Sequence, residues 1–97
     1  MNNNDSRDDS KRMSVSLRFF ASVRETLGRS EGALTLPAGI LTVGDVRALL
    51  AARGGVWFDA LADTRVLRTA CNQVMCNPET PLLDGCEVAF FPPVTGG

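Results

Sequence analysis

Two stretches of alternating side chains, one near each end of the chain, constrain the fold most. In residues 14–20 the apolar residues Val15, Leu17 and Phe19 occupy every second position, and residues 87–91 repeat the pattern with Val88 and Phe90. This period-two pattern of β-branched and aromatic residues predicts two strands. The 97 residues are enough for one domain, so both strands belong to one fold.

A helix is predicted in the middle of the chain. Thr42 and Asp45 have the spacing of a capping box, in which each side chain binds the backbone N–H of the other residue. Val46, Leu49 and Leu50 then fall on one helical face at positions i, i+3 and i+4, and Gly54 ends the helix.

Shorter elements fill the rest of the chain. They comprise a helical turn at 21–27, a strand at 34–36, a helix around Trp57, Phe58 and Leu61 that closes over the core, one extended segment at 66–76, and hairpin-type turn chemistry at Asp84-Gly85. The resulting order is β-β-α-(α)-β-β. It predicts an α+β fold, a small mixed sheet with one main helix packed across it and a short second helix.

The composition of the chain limits its location and its partners. Residues 1–12 have no apolar residue after Met1, so we expect a disordered polar extension there, a folded domain at 13–91 and a flexible tail at 92–97. The net charge of −1 provides no basic face for nucleic acid. Apolar stretches fall short of the roughly 20 residues of a membrane span, and the N-terminus has no signal-peptide pattern, so we expect a cytoplasmic protein without membrane contact.

Several residues that catalysis commonly uses are absent. The sequence contains no His and no Tyr, and its single Lys, Lys11, lies in the N-terminal extension. A His general base, a Cys–His nucleophile pair and an imidazole metal ligand are therefore excluded. We expect a chain that is not catalytic alone.

The C-terminus has the character of a chemical handle. Pro92 and Pro93 fix the backbone φ angle and remove two N–H donors, so the chain leaves the domain stiffly. Val94 and Thr95 then lead to Gly96 and Gly97, whose backbone fits a channel too narrow for side chains. The pattern predicts a tail that threads the active site of a partner, with the Gly97 carboxylate as the reacting group.

Three segments carry a resemblance to a known family. They are Phe19-Phe20-Ala21-Ser22-Val23-Arg24-Glu25-x-x-Gly28, Asn72-Gln73, and Leu82-x-Asp84-Gly85-x-Glu87-Val88-Ala89-Phe90-Phe91-Pro92-Pro93-Val94-Thr95-Gly96-Gly97. The chain resembles the MoaD family, the small sulfur-carrier subunit of molybdopterin synthase. The resemblance implies a ubiquitin-like β-grasp fold.

The resemblance also implies a reaction sequence and a set of partners. An ATP-dependent adenylating enzyme (MoeB-like) activates Gly97, a sulfur donor converts it to a thiocarboxylate, and the large molybdopterin synthase subunit (MoaE-like) receives the sulfur for the pterin precursor. No cofactor is held permanently, since ATP is used by the activating enzyme. Two alternatives share the fold and tail: a thiamine-pathway sulfur carrier and a ubiquitin-like protein modifier. A pure interaction module, by contrast, would not need a free Gly-Gly carboxylate.

Three apolar residues are candidates for a partner interface. Strand parity points Phe91 away from the face of Phe90, and Phe20 is out of phase with the apolar positions of its strand. Met75 stands where the resemblance places an apolar interface residue. We expect Phe20, Met75 and Phe91 to form a docking patch beside the tail. The alternative for each of them is that it completes the core.

The three cysteines predict free thiols. Cys71 and Cys76 are five residues apart, so in one regular strand their side chains point to opposite faces, which suits neither a disulfide nor a metal pair. With Cys86 as the third thiol and no His, a zinc site lacks a fourth ligand unless a carboxylate joins, so we expect no metal.

Overall fold

A computed structural model describes residues 13–93 and contains five strands and three helices within that range. The predicted N-terminal extension at 1–12 and the tail residues 94–97 lie outside the described residues. The elements are β1 Ser14–Phe19, α1 Ala21–Leu27, β2 Glu31–Thr35, α2 Val43–Ala51, α3 Gly55–Leu61, β3 Arg68–Cys71, β4 Val74–Cys76 and β5 Glu87–Phe91.

The strands form one mixed sheet with the order β2-β1-β5-β3-β4. β1 and β5 are parallel neighbours at its centre, and the other neighbouring strands pair antiparallel. The two strands predicted most clearly from alternation are therefore hydrogen-bonded to each other. The predicted α+β class is confirmed.

The core lies between one face of this sheet and the helices. Phe19 of β1 and Phe90 of β5 are almost fully buried, with ring centroids 6.3 Å apart and an interplanar angle of 15°. Trp57 of α3 packs its ring against Phe19 in an edge-on arrangement. Val46 and Leu50 of α2 are fully buried, as their helical spacing predicts.

The capping box predicted for α2 is confirmed. The backbone N–H of Asp45 donates to Thr42 Oγ1 (3.2 Å), and the N–H of Thr42 donates to Asp45 Oδ2 (3.1 Å). The N–H of Leu41 also donates to Asp45 Oδ2, and the backbone donors of Leu41 and Thr42 hold the pKa of the Asp45 carboxyl below its usual value. This carboxylate therefore fixes the point at which the chain turns into the main helix.

The prediction of one extended segment at 66–76 is wrong. Asn72 and Gln73 have φ angles of 51° and 68°, and two consecutive left-handed residues reverse the chain between β3 and β4. The turn is tied to the centre of the sheet. The N–H of Asn72 donates to the carbonyl oxygen of Glu87 (2.8 Å), and the N–H of Glu87 donates to Asn72 Oδ1 (2.9 Å).

The turn at Asp84-Gly85 does not form a hairpin. Gly85 has a φ of 82°, as its turn chemistry requires, but the strand that follows pairs with β1 and β3. Asp84 Oδ1 accepts a hydrogen bond from the N–H of Ser14 (2.8 Å), and the N–H of Gly85 donates to the Ser14 carbonyl oxygen (2.7 Å). The turn therefore aligns β5 with the start of β1.

The short helix α3 closes over the core only in part. Leu61 is fully buried and Trp57 is half-buried, whereas Phe58 is 55% exposed. None of the described helices is long and apolar enough to cross a membrane.

Candidate docking face and tail attachment

The second face of the sheet is not covered by a described helix, because all three helices pack against the other face. Side chains alternate between the two faces of a strand, so the residues between the core positions point to this side. Arg18, Ala89, Ala70 and Met75 are register neighbours across β1, β5, β3 and β4. They form a continuous row across this side of the sheet.

Two aromatic residues stand beside this row. Phe91 follows Ala89 by two positions on β5, and Phe20 directly follows β1. Their rings meet edge to face, with centroids 6.3 Å apart and an interplanar angle of 85°. Phe20 is 41% exposed and Phe91 is half-buried, so the pair forms an apolar patch on the surface and is not part of the core.

Met75 completes the apolar surface at the far strand, where its side chain is 55% exposed. The small side chains of Ala70 and Ala89 lie between it and the aromatic pair and leave the sheet flat there. We call the surface formed by Phe20, Ala70, Met75, Ala89 and Phe91 the open face. The structure thus places the three candidate interface residues on one side of the sheet, and their contact with a partner stays a prediction.

Sequence reasoning missed Arg18, which lies beside Phe20 and Ala89 of the open face. Its Cζ atom is 5.5 Å from the centroid of the Phe20 ring, and its Nη1 is 3.9 Å from Glu87 Oε1. The sequence contained a signal for this position, because side chains two positions apart in a strand point to the same face, and Phe20 was predicted to lie outside the core.

The tail leaves the domain next to the open face. Pro92 and Pro93 follow Phe91 directly and are half-buried. Pro92 lines a depression with Val23 and Ala60, whereas Pro93 lines a neighbouring one with Thr69. The attachment of the tail is therefore packed against the domain. The remaining tail residues predicted to thread a partner, Val94, Thr95, Gly96 and Gly97, lie outside the described residues.

The expectation that Cys71 and Cys76 point to opposite faces is wrong. The turn at Asn72-Gln73 reverses the chain, so Cys76 pairs with Thr69 and Cys71 pairs with Val74, and both thiols pack on the core side. Burial, together with the neighbouring Cys86 thiol, raises the pKa of Cys71 to about 11. The protonated thiol, a poor nucleophile, therefore dominates at neutral pH.

The thiols do not gather other ligand-type side chains around them. Within residues 13–93, no three His, Cys, Asp or Glu side chains are placed to hold a metal ion.

The strand order, the parallel pairing of β1 with β5, and the helix across one face define a ubiquitin-like β-grasp protein. Residues 17–97 match the ThiS family, and the chain belongs to that family. A relative from Escherichia coli K12 named molybdopterin synthase sulfur carrier subunit is 45% identical over 83 residues, which cover 86% of this chain and 99% of the relative. The family expected from the sequence resemblance is confirmed.

Solved structures give the same picture of the fold. The solution structure of the Haloferax volcanii HVO 2177 protein superimposes with a TM-score of 0.71 at 32% identity, covering 89% of this chain and 88% of that one. The structure of a complex of subunits 1 and 2 of the molybdopterin-converting factor from Helicobacter pylori contains a chain with a TM-score of 0.57 at 29% identity. The match covers 88% of this chain and 100% of that one.

Proposed function

We propose that this protein is the sulfur carrier subunit of a molybdopterin synthase, with the Gly97 carboxylate as its reactive group. One observation carries the proposal: β5 brings Phe91 to the open face and continues directly into the packed Pro92-Pro93 segment from which the Gly-Gly terminus extends. A partner that covers the open face therefore receives the tail at the edge of the same contact. The E. coli relative that carries that name, 99% of whose length is matched, supports the assignment.

The chemistry requires an activation step, because a carboxylate is a poor electrophile. The Gly97 carboxylate attacks the α-phosphate of ATP in an adenylating enzyme, and pyrophosphate leaves. Hydrosulfide released by the donor then attacks the acyl carbon and displaces AMP, which leaves a C-terminal thiocarboxylate and a proton. That thiocarboxylate is ionised at neutral pH and is a strong nucleophile toward the pterin precursor.

The partners supply the acid–base residues in this proposal. The chain contains no His, and the single Lys stands at position 11, outside the described residues. Its contribution is therefore delivery: a domain that docks through Phe20, Met75 and Phe91, and a narrow tail that enters the active site of the large subunit. The subunit pair named in the Helicobacter pylori structure supports a large-subunit partner.

The proposal is tested by isolating the protein from its own cells and measuring its intact mass. A thiocarboxylated terminus raises the mass by the difference between sulfur and oxygen. Incubation of that form with the large subunit and the pterin precursor should produce the dithiolene product and return the carrier to its carboxylate mass. A carrier that instead transfers its sulfur only to a thiazole synthase, or forms isopeptide bonds with lysines of other proteins, would contradict the proposal.

A further inference from the structure

Arg18 places a positive charge beside the apolar residues of the open face, with Glu31 of β2 as its register neighbour on the other side. It is the register neighbour of Ala89, and its Cζ atom lies 5.5 Å from the centroid of the exposed Phe20 ring. Its side chain keeps 40% of its surface accessible. A partner that covers Phe20 and Ala89 must therefore also cover this guanidinium.

The hydrogen-bonding capacity of Arg18 is largely unused within the domain. A guanidinium carries five N–H donors. Its contact with Glu87 is 3.9 Å long, beyond hydrogen-bond distance, and its Nε is buried and has no hydrogen-bond partner among residues 13–93. Removing the remaining water from such a group is unfavourable unless an acceptor replaces that water.

We propose that Arg18 is a specificity-determining residue of the open face. Its guanidinium selects a large subunit that presents a carboxylate among apolar side chains. This inference rests on the proposed function. Arginine suits the role because its planar fork binds a carboxylate through two parallel hydrogen bonds. The stacked Phe20 ring holds the guanidinium in position before the partner arrives, which reduces the entropy lost on binding.

The charged residues around Arg18 leave its guanidinium without a close carboxylate among the described residues. Arg68 is the register neighbour of Phe91, and Glu31 of β2 is the register neighbour of Arg18, so two arginines and two carboxylates, Glu31 and Glu87, stand on this side of the sheet. These four charges balance, and the one ion pair that Arg18 forms among the described residues is the long contact with Glu87. A carboxylate of the partner would replace this long contact with direct hydrogen bonds.

The experiment compares the binding of full-length variants to the large subunit of the same organism at low and at high salt. R18M keeps an unbranched apolar stem beside Phe20 and removes the charge. R53M is the matched control, because Arg53 also lies over an aromatic ring, 4.5 Å from the centroid of Trp57, but on the helix side of the sheet. We expect R18M to weaken binding about tenfold at low salt and to reduce the salt dependence, while R53M binds as the wild type does.

Two further variants separate this inference from the proposed function. E87Q removes the carboxylate of the long ion pair, so it should leave binding unchanged or tighten it if Arg18 meets a carboxylate of the partner. Phe91→Ala tests the docking face independently of charge. If Phe91→Ala weakens binding while R18M binds like the wild type at both salt concentrations, the role of Arg18 is overturned and the proposed function stands. A wild-type carrier that does not bind the large subunit would overturn both.

Thermal melts of the same variants test whether R18M weakens binding by destabilising the fold. The inference expects R18M to melt at nearly the wild-type temperature, because the side chain is partly exposed and its ion pair is long. If R18M melts far below the wild type, R18K decides the matter, since it retains the charge. A folded R18K variant that binds more tightly than R18M supports the role of the charge, and one that binds no better overturns it.

Discussion

At the scale of single residues, Phe90 and Phe91 show how strand parity separates stability from binding. Phe90 is fully buried and packs against Phe19, whereas Phe91 is half-buried and meets the exposed Phe20 on the other face. Adjacent residues of identical chemistry therefore have different surroundings. The difference in burial arises because successive side chains of β5 point to opposite faces of the sheet, and the helices pack on one of them.

We predict opposite effects for alanine substitutions at these two positions. Phe90→Ala should lower the free energy of unfolding by about 3–5 kcal/mol, because it leaves a cavity in the core. Phe91→Ala should lower it by only about 1 kcal/mol through loss of the aromatic pair. It should weaken binding to the large subunit by about 1–3 kcal/mol. Urea denaturation and binding titrations of both variants measure these quantities, and the reverse order would show that the two faces are misassigned.

The thiol of Cys71 gives a second prediction at this scale, through the pH dependence of stability. Because burial, and then the nearby Cys86 thiol, raise its pKa from 9.0 to about 11, the folded state retains the proton more strongly than the unfolded state does. Its contribution to stability is complete below pH 9 and is lost as the pH rises toward 11. Unfolding free energies should therefore fall more steeply above pH 9 in the wild type than in Cys71→Ala. Parallel curves for the two proteins would contradict this.

At the scale of elements, the turn between β3 and β4 depends on two residues with left-handed backbone conformation. Asn72 tolerates a positive φ well, and its side chain also binds the backbone of Glu87. Gln73, with a φ of 68°, occupies a position at which tight hairpins favour glycine. Asn72 therefore stabilises the turn between β3 and β4, whereas Gln73 introduces backbone strain into it.

We predict that Gln73→Gly stabilises the protein by up to about 1 kcal/mol, because relief of the left-handed strain exceeds the added entropy of the unfolded chain. Asn72→Ala should destabilise it by about 1–3 kcal/mol, since the N–H of Glu87 loses its acceptor. Denaturant titrations provide the measurement, and Thr26→Ala on the exposed side of α1 is a suitable surface control. A stabilising Asn72→Ala would mean that this turn does not control the pairing of β3 with β5.

At the scale of the whole molecule, the proposed function divides the chain between a domain that docks and a terminus that reacts. Pro92 and Pro93, the last described residues, pack against the domain, and the core contains no residue beyond Phe90 among those described. The two parts are therefore expected to respond separately to mutation.

Deletion of Gly97 provides the test of that division. We expect it to abolish formation of the thiocarboxylate, because adenylation requires the terminal glycine carboxylate in the active site of the partner. The melting temperature should stay within experimental error of the wild type, since the deletion leaves every described core residue in place. Mass spectrometry and calorimetry measure the two effects. A shortened protein that still supplies sulfur to the pterin precursor would contradict the assignment of Gly97.

Local patterns in the sequence were sufficient for the elements whose conformation depends on near neighbours. The alternation of Val15, Leu17 and Phe19 predicted β1 and its buried face, and the spacing of Thr42 and Asp45 predicted the start of α2, because side-chain periodicity and capping act over a few residues. Together with the resemblance, strand parity also predicted that Phe20, Met75 and Phe91 lie outside the core.

The tertiary structure alone decided what depends on contacts between distant residues. The chain reversal at Asn72-Gln73 is stabilised by hydrogen bonds to Glu87, fifteen residues from Asn72, and it moved Cys71 and Cys76 to one face. The position of Arg18 beside Ala89 likewise follows from the parallel pairing of two strands at opposite ends of the chain. Register between strands is set by packing of the whole sheet against its helices, and no local pattern contains that information.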